Sequence, residues 1–331
     1  MKLQSIPKLQ SVLKGEDVMK ITILGAGAMG SLFGGYLSRY NDVWLVEIDQ
    51  KKVDKINRDG IRIREPDGEK VFYPTALTDT KGLGAMDLVI VFVKAMYSVS
   101  ALEKNRHLLG EHTYVMTLQN GAGHEQTILR FVTRNRVIIG TTKHNSSIID
   151  AGYINHGGGG GSSIGLLDGK SETIQEIADN FSQCGFQTEV SDNVRKSIWS
   201  KLFINVSASV MTGVLQTNLD FLKDSTYAWK LVEQLLREAV AVADADGLGF
   251  DEAEVIKDVR TLVENAHDGY TSIYADLHNG VRTEIDTING TIITEAKRLK
   301  VPVPAHEFVV NLVHAMEDKA AIYETGGNLR V

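Results

Sequence analysis

Short apolar runs alternate with amphipathic stretches over roughly the first 190 residues of the chain. Aliphatic and β-branched residues dominate these runs, which predicts buried strands, and a helical pattern covers Glu172–Phe181 near the end of the region. The predicted strands are residues 21–24, 43–46, 88–93, 114–118, 137–142 and 186–190. Such alternation is typical of an α/β domain with a parallel sheet. The glycine run Gly157–Gly161 predicts a hairpin or surface loop, because no helical pattern follows it directly.

From about residue 191 onward the periodicity is helical only. Pro302 and Pro304 interrupt it, because proline lacks a backbone N–H and restricts the residue before it. The predicted helices are residues 193–212, 226–246, 251–266, a long helix near 270–299, and 305–322. We therefore predict three parts: an N-terminal extension over 1–18, an α/β domain over 19–190, and an all-helical domain over 191–331.

Composition narrows the class of protein. Net charge is 35 − 42 = −7, and the basic residues are scattered, so a nucleic-acid or anionic-membrane surface is not expected. The single cysteine, Cys184, rules out an internal disulfide and fits a reducing cytoplasm. No stretch reaches 18 consecutive apolar residues, so no membrane span is expected. The nine histidines are scattered without a metal-binding motif, which predicts that no metal is required.

A glycine-rich loop connects the first predicted strand to the first predicted helix. It follows the G-x-G-x-x-G pattern, whose glycines allow a tight turn and close approach of a pyrophosphate to the helix N-terminus. Its residues are Gly25, Ala26, Gly27, Ala28, Met29 and Gly30. In this strand–loop–helix context the pattern predicts a Rossmann dinucleotide-binding domain.

The ends of later strands supply further candidates for the cofactor site. Glu47 lies 22 residues after Gly25, near the distance at which an acidic residue binds the adenosine ribose hydroxyls. A carboxylate there repels a 2′-phosphate, and Ile48 follows it instead of an arginine, which favours NAD(H) over NADP(H). A solvated strand-end carboxylate is the alternative. Lys94 and Asn120 follow two more strands, at the sheet edge where ligands bind.

The helix predicted over 193–212 contains a candidate acid. Lys201, Asn205 and Ser209 recur every four residues and predict a polar row on this helix. The neighbours of Lys201 are apolar, and a desolvated lysine has a lowered pKa that suits proton transfer near neutral pH. The alternative is an ordinary surface lysine on an amphipathic helix. In the same way, Glu284 and Asp286 lie beside an apolar stripe and are equally explained as solvated helix charges.

Taken together, these patterns resemble the ketopantoate reductase (2-dehydropantoate 2-reductase) family. The matching segments are GAGAMG at 25–30, VKA at 93–95, LQNGAG at 118–123, IWSKLFIN at 198–205, RTEIDTINGTII at 282–293 and VPVPAH at 301–306. The resemblance implies a Rossmann domain followed by an all-α domain like the C-terminal domain of 6-phosphogluconate dehydrogenase, with substrate bound in the cleft between them. It also implies a homodimer formed through the helical domain.

The active-site residues of that family have counterparts at matching positions of this chain. The resemblance implies that Lys201 is the general acid for the ketone oxygen and that Glu284 binds the substrate hydroxyl or orients Lys201. It further implies contacts to substrate or cofactor from Asn205, Asn120 and Ser272. A lysine like Lys94 lies near the nicotinamide in that family.

Three positions depart from the family pattern. Ile48 replaces an arginine that binds the NADP phosphate, and Ser209 and Gly269 replace asparagines of the substrate pocket. We expect a small side chain and a glycine there to leave room for a different 2-oxo acid. Some relatives are NAD-dependent D-2-hydroxyacid dehydrogenases acting on substrates such as benzoylformate and D-mandelate, so this activity is the runner-up.

The predicted function is therefore NAD(P)H-dependent reduction of a branched 2-oxo acid to the (R)-2-hydroxy acid, with ketopantoate as the leading substrate. A 3-hydroxyacid dehydrogenase of the 6-phosphogluconate type also combines a glycine loop with a Lys-x-x-x-Asn pair. However, it usually has glycines before the lysine helix, where this chain has Val194–Ile198. A dinucleotide-binding protein without turnover is the alternative from another functional class.

Overall fold

The computed structural model describes residues 18–266 and 269–324, with side chains up to Ile322. The predicted extension over 1–18 lies outside these residues except for Val18. Contacts group the chain into two compact units: one runs up to Gln119 and resumes over His124–Val194, and the other comprises Asn120–Gly123 and the residues from Arg195 onward.

The first unit contains an eight-stranded sheet. Its strands are β1 (Lys20–Leu24), β2 (Asp42–Val46), β5 (Thr75–Leu77), β6 (Leu88–Val91), β7 (Tyr114–Thr117), β8 (Val137–Thr142), β11 (Ser162–Leu166) and β12 (Thr188–Val190). Their order is β12-β11-β8-β7-β6-β1-β2-β5, and every pair is parallel except β11 with β8. The first six parallel strands thus follow the order 3-2-1-4-5-6 of a Rossmann fold, which confirms the prediction.

Among its described residues, this unit has five α-helices: α1 (Ala28–Leu37), α2 (Gln50–Asp59), α3 (Ser98–Lys104), α4 (His124–Ile128) and α5 (Glu172–Cys184). Polar side chains begin two of them, since Asp49 accepts from the Lys51 amide and Ser171 from the Thr173 amide. Helix α5 ends at Gly185, whose φ of 110° suits glycine, and so runs three residues beyond its predicted end.

A second, four-stranded sheet lies in the first unit and was not predicted. It consists of β3 (Ile61–Glu65), β4 (Gly68–Phe72), β9 (Asn145–Asp150) and β10 (Tyr153–Gly158), in the order β4-β3-β10-β9. These strands carry many charged and polar residues, so they lack the apolar runs on which the strand prediction relied. The glycine run connects β10 to β11, which belong to different sheets; it is therefore a loop and not a hairpin.

The second unit is entirely helical among its described residues. Its helices are α6 (Val194–Ile204), α7 (Val210–Leu215), α8 (Leu219–Asp224), α9 (Thr226–Ala245), α10 (Glu252–Glu264), α11 (Ser272–His278), α12 (Asn289–Leu299) and α13 (Pro304–Glu324). A π-helical segment, Asn205–Ser209, joins α6 to α7. The core includes Trp199, Leu202, Phe203 and Val206, so apolar residues around Lys201 are buried.

The predicted long helix over 270–299 is wrong. Helix α11 ends at His278, where Gly280 adopts a φ of 66° and the Val281 amide donates to the Asp276 carbonyl. This is the Schellman arrangement that terminates helices. The apolar positions after Gly280 do continue a helical spacing, but the backbone turns irregularly from 279 to 288 before α12 begins. Helix α8, which is only six residues long, was not predicted.

By length and composition alone, the continuous helical stretch Val194–Leu215 is apolar enough to cross a membrane. More than half of it is buried inside the protein, however, and the core helices of folded domains pass the same test. Its apolar side is accounted for by the core of the helical unit.

Candidate active site

The glycine loop in the first unit is built for close backbone approach. Gly25 has a φ of 105°, and a Cβ at this position would lie 2.8 Å from the Val93 amide nitrogen, so only glycine fits. Gly30 lies against the Gly25 carbonyl in the same way. A Cβ at Gly27 would instead meet no described atom within 4 Å. The loop therefore has no room for a side chain at Gly25 or Gly30, whereas the space beside Gly27 is open.

Helix α1 begins directly after this open position. Gly27 is its N-cap and supplies no side chain, so the first N–H groups of the helix are not capped from within it. Ala28 and Met29 form its first turn, and Ala26 is buried below. Open space beside uncapped N–H groups is the arrangement that binds a pyrophosphate, so these residues fit a dinucleotide.

The acidic residue after β2 has well-defined partners. One carboxylate oxygen of Glu47 accepts from the Ile48 amide at 2.8 Å and the Asp49 amide at 3.3 Å, and the other pairs with Lys52 Nζ at 2.7 Å. Both side chains of this ion pair are mostly buried, with 15% and 17% of their surface exposed. The Ile48 side chain, in contrast, is 87% exposed. Glu47 is therefore a fixed carboxylate and not a mobile surface charge.

The ends of β6 and β7 are linked by a residue that the sequence analysis did not single out. Gln119 Nε2 donates to the Val93 carbonyl at 2.6 Å and to Ser98 Oγ at 2.9 Å, while its Oε1 accepts from Thr117. Lys94 follows Val93 and is partly buried. Gln119 thereby fixes the backbone immediately before Lys94, and its place in the LQNGAG segment was the available signal.

In the second unit, Lys201 is partly buried and donates from Nζ to Asn120 Oδ1 at 3.2 Å. Burial lowers the pKa of Lys201 to about 8, as its apolar neighbours in the sequence led us to expect. Two of the predicted site residues, 81 positions apart in sequence, are thus in direct contact. The pairing of Glu284 with Lys201 stays a prediction.

The loop that carries Asn120 is anchored on the turn before α12. Gly121 has a φ of 99°, and a Cβ there would lie 2.0 Å from the Thr287 carbonyl oxygen. That carbonyl accepts from the Ala122 amide at 3.2 Å, and Thr291 Oγ1 donates to the Ala122 carbonyl at 3.0 Å. These contacts explain why Asn120–Gly123 belongs to the helical unit although β7 before it does not.

A π-helical segment, Asn205–Ser209, covers the second half of the predicted polar row. Lys201 and Asn205 stay partly exposed, whereas Ser209 is buried, with 7% of its surface exposed. Of the three residues of the predicted polar row, Ser209 is therefore the buried one.

A buried network behind this segment explains the π turn. Asn289 Nδ2 donates to the Val206 carbonyl at 2.8 Å and approaches His306 Nδ1 at 3.2 Å. His306 Nε2 lies 3.0 Å from the Leu235 carbonyl, which can only accept, so this nitrogen carries the proton and Nδ1 accepts from Asn289. Burial lowers the pKa of His306 to about 4 even though its hydrogen bond to Leu235 acts in the opposite direction. The network is therefore neutral at physiological pH and satisfies a carbonyl of the π segment.

Ser272 is the first residue of α11 and is exposed, while Thr271 before it caps the helix by accepting from the Tyr274 amide. Gly269 does not provide the room expected from its missing side chain. A Cβ there would lie 2.7 Å from the Ala266 carbonyl and 3.1 Å from a methyl group of Leu219. Glycine is required at this position by backbone packing, so that part of the argument for an enlarged substrate pocket is wrong.

Comparison with known proteins decides the family. Residues 21–169 match the family model described as ketopantoate reductase PanE/ApbA, and residues 193–317 match the model of its C-terminal part. The chain belongs to the ketopantoate reductase family. The 2-dehydropantoate 2-reductase of Lactococcus lactis is 33% identical over 91% of this chain and 98% of its own length. That of Pyrococcus horikoshii is 32% identical over 90% and 98%.

Solved structures agree with this membership. D-mandelate dehydrogenase in a ternary structure with NADH and anilino(oxo)acetate has a TM-score of 0.87 and 32% identity, covering 92% of this chain and 99% of that one. A PanE/ApbA family ketopantoate reductase from Ralstonia eutropha has a TM-score of 0.84 and 28% identity, covering 92% and 100%. The predicted family and fold class are confirmed.

Membership in the ketopantoate reductase family also confirms the enzyme class. The family comprises pyridine-nucleotide oxidoreductases that act on a CH–OH group and take a small 2-oxo acid as substrate. Among residues 18–266 and 269–324, no three His, Cys, Asp or Glu side chains are grouped to hold a metal ion. The individual residue roles stay predictions.

Proposed function

We propose that this protein reduces a C3-branched 2-oxo acid to the (R)-2-hydroxy acid with a reduced nicotinamide dinucleotide, with ketopantoate as the leading substrate. The observation that carries the proposal is Lys201, an ammonium with a pKa lowered to about 8 and a hydrogen bond to Asn120. A surface lysine has neither property. Relatives named 2-dehydropantoate 2-reductase, at about 30% identity over most of the chain, support the choice of ketopantoate.

The chemistry follows from the charge that the reaction creates. The dinucleotide, when bound, supplies the hydride that adds to the carbonyl carbon. Negative charge then develops on the carbonyl oxygen, where the Lys201 ammonium stabilises it and delivers a proton from Nζ to give the hydroxyl. With a pKa of about 8, most of Lys201 is protonated at neutral pH, and it gives up its proton more readily than an ordinary lysine.

The other residues have positioning and binding roles in this proposal. Asn120 accepts from Lys201 Nζ through its Oδ1 and so orients the ammonium toward the substrate. Asn205, one turn after Lys201, and Ser272 bind the polar groups of the substrate. Glu284 binds the substrate hydroxyl or orients Lys201. Ser209 is retained only as a weaker candidate, because it is buried.

The fixed carboxylate of Glu47 favours NAD(H) over NADP(H). Its position at the end of β2 suits the ribose hydroxyls, and a 2′-phosphate would meet a negative charge held in place by two amides and Lys52. Lys52 opposes this preference, because its ammonium pairs with Glu47 and would attract a 2′-phosphate. Lys94 is proposed to lie near the nicotinamide.

A kinetic matrix tests the proposal: NADH and NADPH, each with ketopantoate, 2-oxoisovalerate and benzoylformate, compared by kcat/KM. Lys201→Ala is expected to lower kcat by about 100-fold or more, as loss of a general acid does. Lys297→Ala, an exposed lysine on α12, is the matched control. Near-normal turnover by Lys201→Ala, with normal NADH binding, would show that the mechanism is wrong.

The second candidate is an NAD-dependent D-2-hydroxyacid dehydrogenase of the D-mandelate type. The similarity to D-mandelate dehydrogenase at a TM-score of 0.87 favours it, as does Ser209 in place of an asparagine. A kcat/KM for benzoylformate that exceeds the value for ketopantoate would select it. Absence of NAD(P)H oxidation across the whole panel would instead favour the dinucleotide-binding protein without turnover. We also propose a cytoplasmic location; a homodimer stays an expectation.

A further inference from the structure

The segment that carries Glu284 is held from both sides by helix α13. This segment, Thr283–Asp286, belongs to the irregular backbone between α11 and α12, where the Glu284 carbonyl accepts from the Thr287 and Ile288 amides. Two side chains of α13 hold the segment in addition. We call Glu317 and His314 the α13 clamp.

Glu317 holds the residue just before Glu284. Its Oε1 accepts from the Thr283 amide at 2.8 Å and from Thr283 Oγ1 at 2.7 Å. The same hydroxyl accepts from the Ile285 amide at 3.2 Å, so the backbone is fixed on either side of Glu284. The Glu317 side chain is nine-tenths buried. A buried carboxylate is costly to place, and this one accepts two hydrogen bonds from Thr283, the neighbour of a proposed catalytic residue.

His314 holds the other flank. Its Nε2 lies 3.0 Å from Asp286 Oδ1, two residues after Glu284, and its Nδ1 lies 3.0 Å from Glu317 Oε2. A carboxylate can only accept, so both ring nitrogens donate when the ring is protonated. Arg282, 3.9 Å from Asp286, is the remaining charged group that these contacts bring to the clamp.

Hydrogen bonds within the clamp and to its neighbours stabilise the charged forms of Glu317 and His314. Burial opposes ionisation of Glu317, but hydrogen bonds from Thr283 and His314 hold the pKa of this carboxyl below its usual range. Burial likewise opposes protonation of His314, and the hydrogen bonds with Glu317 and Asp286 outweigh it, so the pKa of His314 is raised. Both shifts favour the charged form of the clamp, an imidazolium between two carboxylates.

The clamped segment also reaches the loop that carries Asn120. Thr287 lies directly after the segment, and its carbonyl accepts a hydrogen bond from the Ala122 amide. The Thr287 amide donates to the Glu284 carbonyl at 3.0 Å. The position of the segment therefore bears on Asn120, the partner of Lys201, as well as on Glu284. The α13 clamp thus supports two proposed residues of the site, Glu284 and Asn120.

We propose that Glu317 and His314 are positioning residues for the reduction: they hold Thr283–Asp286 so that Glu284 and the Asn120 loop are correctly placed. Neither residue acts on the substrate itself. This inference rests on the proposed function, because it assumes that Glu284 takes part in the reaction.

The variants follow from the contacts. Glu317→Ala removes the acceptor for Thr283, whereas Glu317→Gln keeps an oxygen acceptor for Thr283 and places an NH2 donor where Oε2 faces His314. His314→Ala releases Asp286 and leaves the Glu317–Thr283 bonds intact. Asp318→Ala, an exposed acidic residue that follows Glu317 on the same helix, is the matched control.

We expect Glu317→Ala to lower kcat/KM for the 2-oxo acid by about 10- to 100-fold, as a displaced site residue does. Because the glycine loop and Glu47 belong to the other unit, the Kd of NADH should stay unchanged. Glu317→Gln should restore most of the activity, and Asp318→Ala should equal the wild type. Hydrogen exchange at the Thr283 and Ile285 amides should become faster in Glu317→Ala alone.

A double-mutant cycle with Glu284→Gln separates positioning from general damage. If the clamp acts through Glu284, Glu317→Ala should lower activity by no more than about 3-fold in the Glu284→Gln background. Equal losses in both backgrounds would overturn positioning through Glu284, and unchanged amide exchange would overturn the clamp as a whole; both results leave the proposed function intact. A wild type without turnover of any 2-oxo acid would instead overturn the proposed function, and the positioning role with it.

Discussion

Replacing Lys201 by methionine is expected to remove activity and to make the protein more stable near neutral pH. Burial lowers the pKa of Lys201 to about 8, whereas a lysine in an unfolded chain has a pKa of about 10.4. At about 1.4 kcal/mol per pKa unit, the charged ammonium costs the folded state roughly 3 kcal/mol. Methionine has a similar length and no charge, so it removes this cost.

The sign of the pH dependence is fixed by these two values. Below pH 8 both the folded and the unfolded chain carry the ammonium, so the whole cost is present. As the pH rises above 8, the folded protein loses the proton first, and at pH 9.5 only about 1 kcal/mol of the cost remains. The hydrogen bond from Lys201 to Asn120, worth about 1 kcal/mol, is lost in the variant at pH 7 as well as at pH 9.5. Lys201→Met should therefore gain about 2 kcal/mol at pH 7 and almost nothing at pH 9.5.

Urea denaturation at pH 7.0 and pH 9.5, followed by both tryptophan fluorescence and circular dichroism, measures this difference. Comparing the variant with the wild type at each pH cancels the titration of all other groups. Lys297→Met on the exposed side of α12 is the control, and it should show no pH-dependent gain. A gain of the same size at both pH values, or a loss of stability at pH 7, would refute the reasoning.

Three further predictions concern the site and its support. In the wild type, kcat/KM for reduction should fall as the pH rises through about 8, because Lys201 must be protonated to act as the acid. The rate of hydroxy-acid oxidation should rise over the same range. Rate profiles from pH 6 to 10 without these opposite trends would contradict the proposed role of Lys201. Glu47→Gln should raise kcat/KM for NADPH relative to NADH by roughly 10-fold, since it removes a fixed charge from the 2′-phosphate position; an unchanged ratio of the two cofactors would exclude that role. Asn289→Ala should lower the free energy of unfolding by about 1–3 kcal/mol, because it leaves the Val206 carbonyl and His306 Nδ1 without their donor, and urea denaturation would detect it. Full stability of the last variant would mean that the π segment does not depend on this network.

The sequence predicted those parts of the fold that depend on local pattern. Apolar runs predicted six of the eight strands of the main sheet and missed β5 and β11. The loop at Gly25–Gly30 indicated the dinucleotide site because its spacing is local. The second sheet was missed, since strands such as Ile61–Glu65, with charged residues at alternate positions, carry a weaker signal than a continuous apolar run. The break after His278 was missed because the apolar spacing continues past Gly280.

Features that depend on distant contacts could not be predicted from residue patterns. The apolar neighbours of Lys201 predicted its lowered pKa, but not its partner Asn120, which comes from a loop between two elements of the other unit. The π segment likewise has no local signal, because the group that satisfies it belongs to Asn289, 83 residues away. The α13 clamp depends on contacts across about 30 residues of irregular backbone and helix.

The short loop Asn120–Gly123 has a consequence for the order of folding. Its flanking strand and helix belong to the first unit, yet the backbone that receives it is Thr287–Thr291. During synthesis at about 5–20 residues per second, that backbone is made roughly 10 to 30 seconds after the loop. A nascent chain can therefore complete much of the nucleotide-binding unit well before the contact between Lys201 and Asn120 forms. Ribosome-bound chains stopped near residue 250 should bind NADH-type ligands through the glycine loop without reducing any substrate.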